Sequence, residues 1–160
     1  PPSGLVPQNA TFAPCIANAR TNSAKLQIAA AYYQVGTLHV TLGNLRAAET
    51  AYRKASDFLD ELIKLEPDNA AYFKELGKVH LGLGEIGRWR PDARTNFEAA
   101  VCALNKAGEL SAKDADVHHF RGNALLGLAC EREAIAEFEK AVTLDPQAAW
   151  RHYHLAWYLH

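Results

Sequence analysis

The sequence predicts an all-α protein built from antiparallel helix pairs. Three observations support this fold class: helix-favouring segments separated by short breaks, no alternating β-branched segment, and a side-chain pattern that returns three times. Apolar residues make up 49% of the 160-residue chain and charged residues 22%, the balance of a folded globular domain. The positions of the breaks indicate about seven helices.

The first two helices follow from where proline and glycine occur. No proline lies between Asn22 and Glu66, and alanine and leucine dominate that segment. Gly43-Asn44 interrupts it and Pro67 ends it, so we expect helices over about 23–42 and 45–65. Similar breaks divide the remainder, at residues 82–91, 111–114, 129–130 and 145–146.

Residues 1–20 differ in composition from the rest of the chain. Prolines break any helical or strand period there, and charge is nearly absent before Arg20. We therefore expect an extended, proline-rich leader over 1–20, followed by a helical domain over 21–160. The chain contains no methionine, which suggests an excised or processed piece.

A small–aromatic–small triplet occurs three times with identical spacing. Intervals of four and three place its members on one face of a helix, where small residues allow close approach of a neighbour. The triplets are Ala48-Tyr52-Ala55, Ala93-Phe97-Ala100 and Ala134-Phe138-Ala141. The helix before each triplet carries a bulky residue followed by glycine, in Val35-Gly36, Leu76-Gly77 and Arg121-Gly122. We expect the Arg121 stem to pack and its head to remain solvated.

A fourth such pair, Leu155-Ala156, lies in the last helix. Ala156 follows Gly122 by 34 residues. This period and pattern resemble the tetratricopeptide repeat family over about residues 29–160. The resemblance implies a right-handed α-solenoid of antiparallel helix pairs. It divides the chain into units of about 29–69, 70–114 and 115–148, with a last unpaired helix over 149–160.

Members of this family hold a protein segment in a concave groove lined by the first helix of each unit. Carried over by register, the resemblance assigns that groove to Tyr33, Thr37, Lys74, Lys78, His119, Asn123, Tyr153 and Trp157. The two lysines favour an acidic segment, and the aromatic residues are candidate anchors. The chaperone-tail members carry a Lys/Asn/Arg clamp. Here Tyr33, Thr37 and Phe120 occupy three of its positions, which disfavours that ligand.

Other functional classes find little support. The formal net charge of -1 argues against a nucleic-acid binder, and no apolar segment is long enough to span a membrane. Gly82-x-Gly84-x-x-Gly87 lacks the preceding strand of a dinucleotide site, so we expect helix-ending glycines. The seven histidines show no i,i+4 pair, and no catalytic motif occurs. We predict no enzyme activity, no metal and no cofactor.

The remaining features concern location and partners. Three scattered cysteines form no disulfide framework and favour a reducing compartment, so we expect a cytoplasmic protein. The loop Arg88-Trp89-Arg90 is either a second interaction site or a tryptophan that caps adjacent helix ends. The last helix carries six large apolar or aromatic residues where a polar outer face would be expected. Self-association through it and the loop, within a larger regulatory or signalling protein, is therefore an alternative to groove binding.

Overall fold

The computed structural model describes residues 12–149, 151, 152 and 156, with side chains from Thr21 onward. This part of the chain contains six α-helices and no strand. They are α1 (Phe12–Thr41), α2 (Leu45–Leu65), α3 (Ala70–Ile86), α4 (Ala93–Leu110), α5 (Ala115–Gly127) and α6 (Glu131–Leu144). The predicted all-α fold of helix pairs is confirmed. The seventh helix predicted over 149–160 lies mostly outside the described residues.

The first helix begins earlier than the sequence indicated. We expected an extended leader over 1–20, but α1 begins at Phe12. Pro14 falls in the first turn of α1, where a helix has no internal partner for backbone N–H groups, so proline is tolerated there. Residues 1–11 lie outside the described residues.

Polar caps and one left-handed glycine account for several helix ends. The Asn69 side chain accepts a hydrogen bond from Ala71 N (3.1 Å), and the Asp114 side chain accepts one from Asp116 N (2.9 Å). These bonds satisfy N–H groups at the starts of α3 and α5. Gly43 adopts a φ of 75° in the turn between α1 and α2, a conformation that favours glycine.

The break predicted at Gly82 and Gly84 does not occur, because α3 continues through both to Ile86. A Cβ on Gly82 would lie 2.8 Å from Tyr52 Cζ, and one on Gly84 would lie 2.7 Å from Phe97 Cε1. These glycines therefore allow aromatic rings of α2 and α4 to contact the α3 backbone. They do not end the helix.

The same contact joins the helices of the other pairs. A Cβ on Gly36 would lie 2.5 Å from the Tyr52 ring, and one on Gly122 would lie 2.6 Å from the Phe138 ring. The second pair is offset, since Gly77 faces Leu104 instead of the aromatic residue of its triplet. The offset arises because α3 continues for about a turn beyond the predicted break. The α3–α4 loop spans 87–92 and is longer than the connections in the other pairs, which span 42–44 and 128–130.

The helices form two layers. α3 contacts both α1 and α5, whereas no comparable contact joins α2 to α4 or α4 to α6 within the described helices. The first helices of the pairs are therefore closer to one another, which places them on the inside of the curve. We call α1, α3 and α5 the inner layer, and α2, α4 and α6 the outer layer.

Candidate interaction surface

The middle of the inner layer is organised around Lys78 of α3. Its Nζ lies 4.8 Å from the centroid of the Tyr33 ring in α1 and 5.6 Å from that of Phe120 in α5. The same Nζ donates to the Glu75 carboxylate at 2.8 and 3.0 Å. Cation–π contacts of this kind contribute about 0.5–2 kcal/mol each, depending on desolvation. One lysine thus brings together side chains of all three inner helices.

Lys74, one turn earlier on α3, has a different partner. Its Nζ donates to Asp114 Oδ2 at 2.8 Å, and Asp114 is also the N-cap of α5. Burial alone raises the pKa of the Asp114 carboxyl, but Lys74 and backbone N–H groups outweigh it and hold the pKa below its ordinary value. Burial lowers the pKa of Lys74, and Asp114 more than compensates, so that pKa is raised. The pair joins two inner helices.

Tyr33 and Thr37 lie together on α1, against α2. The Thr37 hydroxyl donates to Tyr33 O (3.1 Å) and lies 3.3 Å from the Tyr52 hydroxyl, while the Tyr33 and Tyr52 rings are 5.5 Å apart. Burial, with the nearby Tyr52 and Glu85, raises the pKa of Tyr33 to about 12. Tyr33 therefore stays protonated, a half-buried aromatic group with a polar end.

His119 and Asn123 differ in exposure, although the sequence assigned both to the groove. His119 is 5% exposed and packs its ring 5.6 Å from both Phe120 and Phe138. Asn123 is partly exposed, and its Nδ2 lies 3.1 Å from His119 Nε2. His119 thus supports Asn123 from the core and presents little surface of its own. Tyr153 and Trp157, the other predicted groove residues, lie outside the described residues.

The sequence missed an ionic cluster in the third helix pair. The buried Glu137 carboxylate of α6 accepts hydrogen bonds from Arg121 and Lys140 and lies 2.7 Å from His118 Nδ1. Arg121 also donates to Asn105 Oδ1 (3.0 Å). The prediction of a solvated Arg121 head is therefore wrong, because the head is the partner of a buried acid. Burial alone raises the pKa of Glu137, but these three donors outweigh it and lower the pKa.

The predicted second interaction loop lies on the surface. Trp89 is 96% exposed, so the alternative that it caps adjacent helix ends is wrong. Arg90 of the loop donates to Glu49 Oε2 of α2 at 2.8 Å, and Arg88 is exposed. The ion pair ties the loop to the first helix pair while leaving the indole in solvent.

The described part of the chain contains no arrangement of side chains that points to catalysis or metal binding. No group of three or more His, Cys, Asp or Glu side chains there is placed to hold a metal ion. Cys102 is an exposed thiol and Cys130 a half-buried one, and both are free. Among the described helices, none is both long and apolar enough to cross a membrane.

Comparison with known proteins matches this architecture. The tetratricopeptide repeat family model matches residues 29–69 and 115–148. Similar solved structures include the first TPR domain of human RPAP3 (18% identity, TM-score 0.60, covering 83% of this chain and 91% of that one). The Arabidopsis OM64 TPR domain is similar too (24% identity, TM-score 0.55, 82% and 96% covered).

A third similar structure is the first TPR of Spaghetti (RPAP3) bound to the HSP90 peptide SRMEEVD (19% identity, TM-score 0.58, covering 82% of this chain and 90% of that one). At these identities the likeness concerns the fold alone. A search of curated protein sequences found no significant match.

Proposed function

Because the chain belongs to the tetratricopeptide repeat family, we propose that it is a non-catalytic interaction module that binds a segment of another protein on its inner layer. The observation that carries this proposal is the convergence of three inner helices on Lys78, with Tyr33 and Phe120 on either side. Preorganised aromatic and charged groups bind a ligand without a large ordering cost.

The two lysines have different roles in this proposal. Lys74 secures the N-cap of α5 through Asp114, and we assign it a structural role. Lys78 is paired within its own helix to Glu75, three residues away. Both side chains keep about a fifth of their surface exposed (20% and 18%), so a ligand carboxylate can reach the Lys78 ammonium and compete with Glu75 for it. Lys78 is therefore the residue that favours an acidic ligand group.

The aromatic side chains supply the apolar part of the surface. Tyr33 and Phe120 are partly exposed and lie against the Lys78 ammonium from two sides. Asn123, on the same helix as Phe120, offers an amide for a ligand backbone. We propose that the segment lies across α1, α3 and α5, with an acidic group at Lys78 and apolar groups on the rings.

This surface differs from a chaperone-tail site. Tyr33, Thr37 and Phe120 stand where the family resemblance places the Lys/Asn/Arg clamp. The peptide SRMEEVD, bound in one similar structure, needs cationic partners for its terminal acid groups. We therefore expect this chain to bind SRMEEVD weakly or not at all.

A peptide selection tests the proposal. Binders would be selected from a displayed random-peptide library on the full chain, and their affinities measured by fluorescence anisotropy. We expect Lys78→Gln to weaken the selected peptides about 5- to 30-fold, a loss of about 1–2 kcal/mol. Lys106→Gln is the matched control, since Lys106 forms the same i,i+3 pair with Glu109 but on outer helix α4.

Equal effects of Lys78→Gln and Lys106→Gln would contradict binding at the inner layer. SRMEEVD serves as a second probe in the same assay. Binding of SRMEEVD comparable to that of the selected peptides would show that the exchanged clamp residues do not exclude chaperone tails.

Self-association is a second candidate, favoured by the exposure of Trp89. An indole in solvent, flanked by Arg88 and Arg90, is typical of residues that anchor protein interfaces. Sedimentation velocity over a range of concentrations distinguishes this candidate. A concentration-dependent mass that Trp89→Ser abolishes would support it, and a constant monomer mass would exclude it.

A further inference from the structure

Helix α1 and Leu42, the residue that follows it, carry an apolar stripe that remains exposed. Ile28, Val35, Leu38 and Leu42 are 43%, 44%, 58% and 63% exposed, and their spacing places them on one face of the helix. No Asp, Glu, Lys or Arg occurs between Gln27 and Leu45. An uncharged, exposed stripe of aliphatic side chains is unusual on a surface that faces only water.

Two positions of the stripe, those of Leu38 and Leu42, have buried or half-buried counterparts in the other two inner helices. Positions are aligned on the glycine that follows Val35 in α1 and its counterparts, Gly77 in α3 and Gly122 in α5. Leu38 and Leu42, the latter just after the end of α1, then correspond to Val79 and Leu83 in α3. In the third pair they correspond to Ala124 in α5 and to Leu128, the residue that follows α5. Val79 and Leu83 share a hydrophobic cluster with α2 residues, and Ala124 and Leu128 share one with Phe97 of α4.

Both later inner helices thus bury this face against the preceding outer helix. For α1, the described part of the chain supplies no preceding outer helix. We propose that the stripe of α1 binds an amphipathic helix of another polypeptide, one that presents the small–aromatic–small pattern of α2 and α4. This site is separate from the Lys78 surface and does not depend on the proposed function.

The described part of the chain has no free helix of this kind. The residues of its three triplets are at most 5% exposed, so none of these faces is available to a second copy. The stripe spans fifteen residues, from Ile28 to Leu42. A helix that covers all of it has at least four turns and is about 22 Å long.

Thr41 of α1 affects how closely an aromatic residue of the partner helix can approach. A Cβ on Gly82 of α3 would lie 2.8 Å from the Tyr52 ring, and one on Gly127 of α5 would lie 2.4 Å from the Phe97 ring. The position that corresponds to Gly82 and Gly127 in α1 is Thr41, whose side chain occupies space that the glycines leave open. Replacement of Thr41 by glycine should therefore admit an aromatic residue more closely.

The probe is a fluorescent peptide with the sequence of residues 45–65, which carries the α2 pattern. Its affinity for the full chain and its variants would be measured by anisotropy, with circular dichroism as the check on folding. We expect Leu38→Glu to weaken binding at least tenfold and Thr41→Gly to tighten it about threefold. Leu65→Glu is the matched control, because Leu65 is 60% exposed but lies at the end of α2.

Four outcomes would overturn the proposal. The first is no binding of the peptide, and the second is equal loss of affinity in Leu38→Glu and Leu65→Glu. The third is equal binding of a peptide that carries Tyr52→Asp, since the aromatic residue would then be irrelevant. The fourth is a dimer of the chain in sedimentation velocity that Leu38→Glu dissociates, because the occupant would then be a second copy.

Discussion

The first and third helix pairs share one contact but differ in what surrounds it. Both place a glycine against an aromatic ring, Gly36 against Tyr52 and Gly122 against Phe138. Tyr52 belongs to a hydrophobic cluster that also contains Leu59 and Leu62. Beside Phe138 lies the buried Glu137 with its basic partners.

The difference shows what this repeat requires. Close approach of the two helices is kept in both pairs, whereas the residue before the glycine changes from Val35 to Arg121. Val35 is 44% exposed, whereas Arg121 is the partner of the buried Glu137, so this position accepts either an exposed aliphatic residue or one member of a satisfied ion pair. The two pairs should therefore respond differently to acid.

The largest effect is expected from Glu137→Ala. Removal of the carboxylate leaves Arg121 and His118 without their buried partner, which costs about 3–5 kcal/mol of unfolding free energy at pH 7. The folded-state pKa of Glu137 lies below its ordinary value of 4.5, so its contribution is complete above that pH and is lost as pH falls through the folded pKa. Urea unfolding at pH 7 and pH 3 should show a smaller penalty in acid; equal penalties would contradict an ionic role.

Leu59→Ala is the apolar counterpart. Leu59 is fully buried, so the substitution leaves a cavity and costs about 2–5 kcal/mol. Because no charge is involved, the penalty should be the same at pH 7 and pH 3. A marked pH dependence of the penalty in the same urea experiment would mean that an ionisable group is coupled to the packing of Leu59.

Replacement of Arg121 and Glu137 by leucine tests whether apolar side chains can substitute for the ionic cluster of the third pair. Arg121→Leu alone removes two donors from the buried Glu137 carboxylate and should cost about 1–3 kcal/mol. The double variant Arg121→Leu/Glu137→Leu should return to within about 1 kcal/mol of the parent, since apolar residues often replace buried ion pairs without loss. Additive losses in a double-mutant cycle would show that the two residues do not act as a unit.

A smaller effect is expected at alkaline pH. Tyr33 has a pKa of about 12, above its ordinary value of 10, because of burial and the nearby Tyr52 and Glu85. Its stabilising contribution is therefore complete below pH 10 and is lost as pH rises toward 12. In an absorbance titration of the tyrosines, the Tyr33→Phe variant should lack one group that ionises well above pH 10 in the parent. Loss of an ordinary group, titrating near pH 10, would contradict the burial of Tyr33.

The smallest effect is expected from Trp89→Ser. The indole is 96% exposed, so its removal should change the free energy of unfolding by less than about 0.5 kcal/mol. A larger destabilisation of the monomer would mean that the loop packs on the domain in solution. The fluorescence of the parent provides a second check, since a solvent-exposed indole emits at long wavelength.

Much of the fold followed from composition and spacing. The helix pairs and the triplets could be predicted because a helical period and its breaks are local properties of the sequence. The start of α1 at Phe12 and the continuation of α3 through Gly82 and Gly84 could not. Proline in a first turn and glycine beneath a ring obey rules of position and packing, not of average propensity.

The candidate surface divides in the same way. The sequence by itself determined that Tyr33, Lys78 and Asn123 stand on the first helices of their units. Only the tertiary structure decided that Lys78 lies between Tyr33 and Phe120 and that Lys74 is committed to Asp114. A helical period specifies which residues share a face, but partners on other helices depend on how far each helix extends and how it is offset from its neighbours.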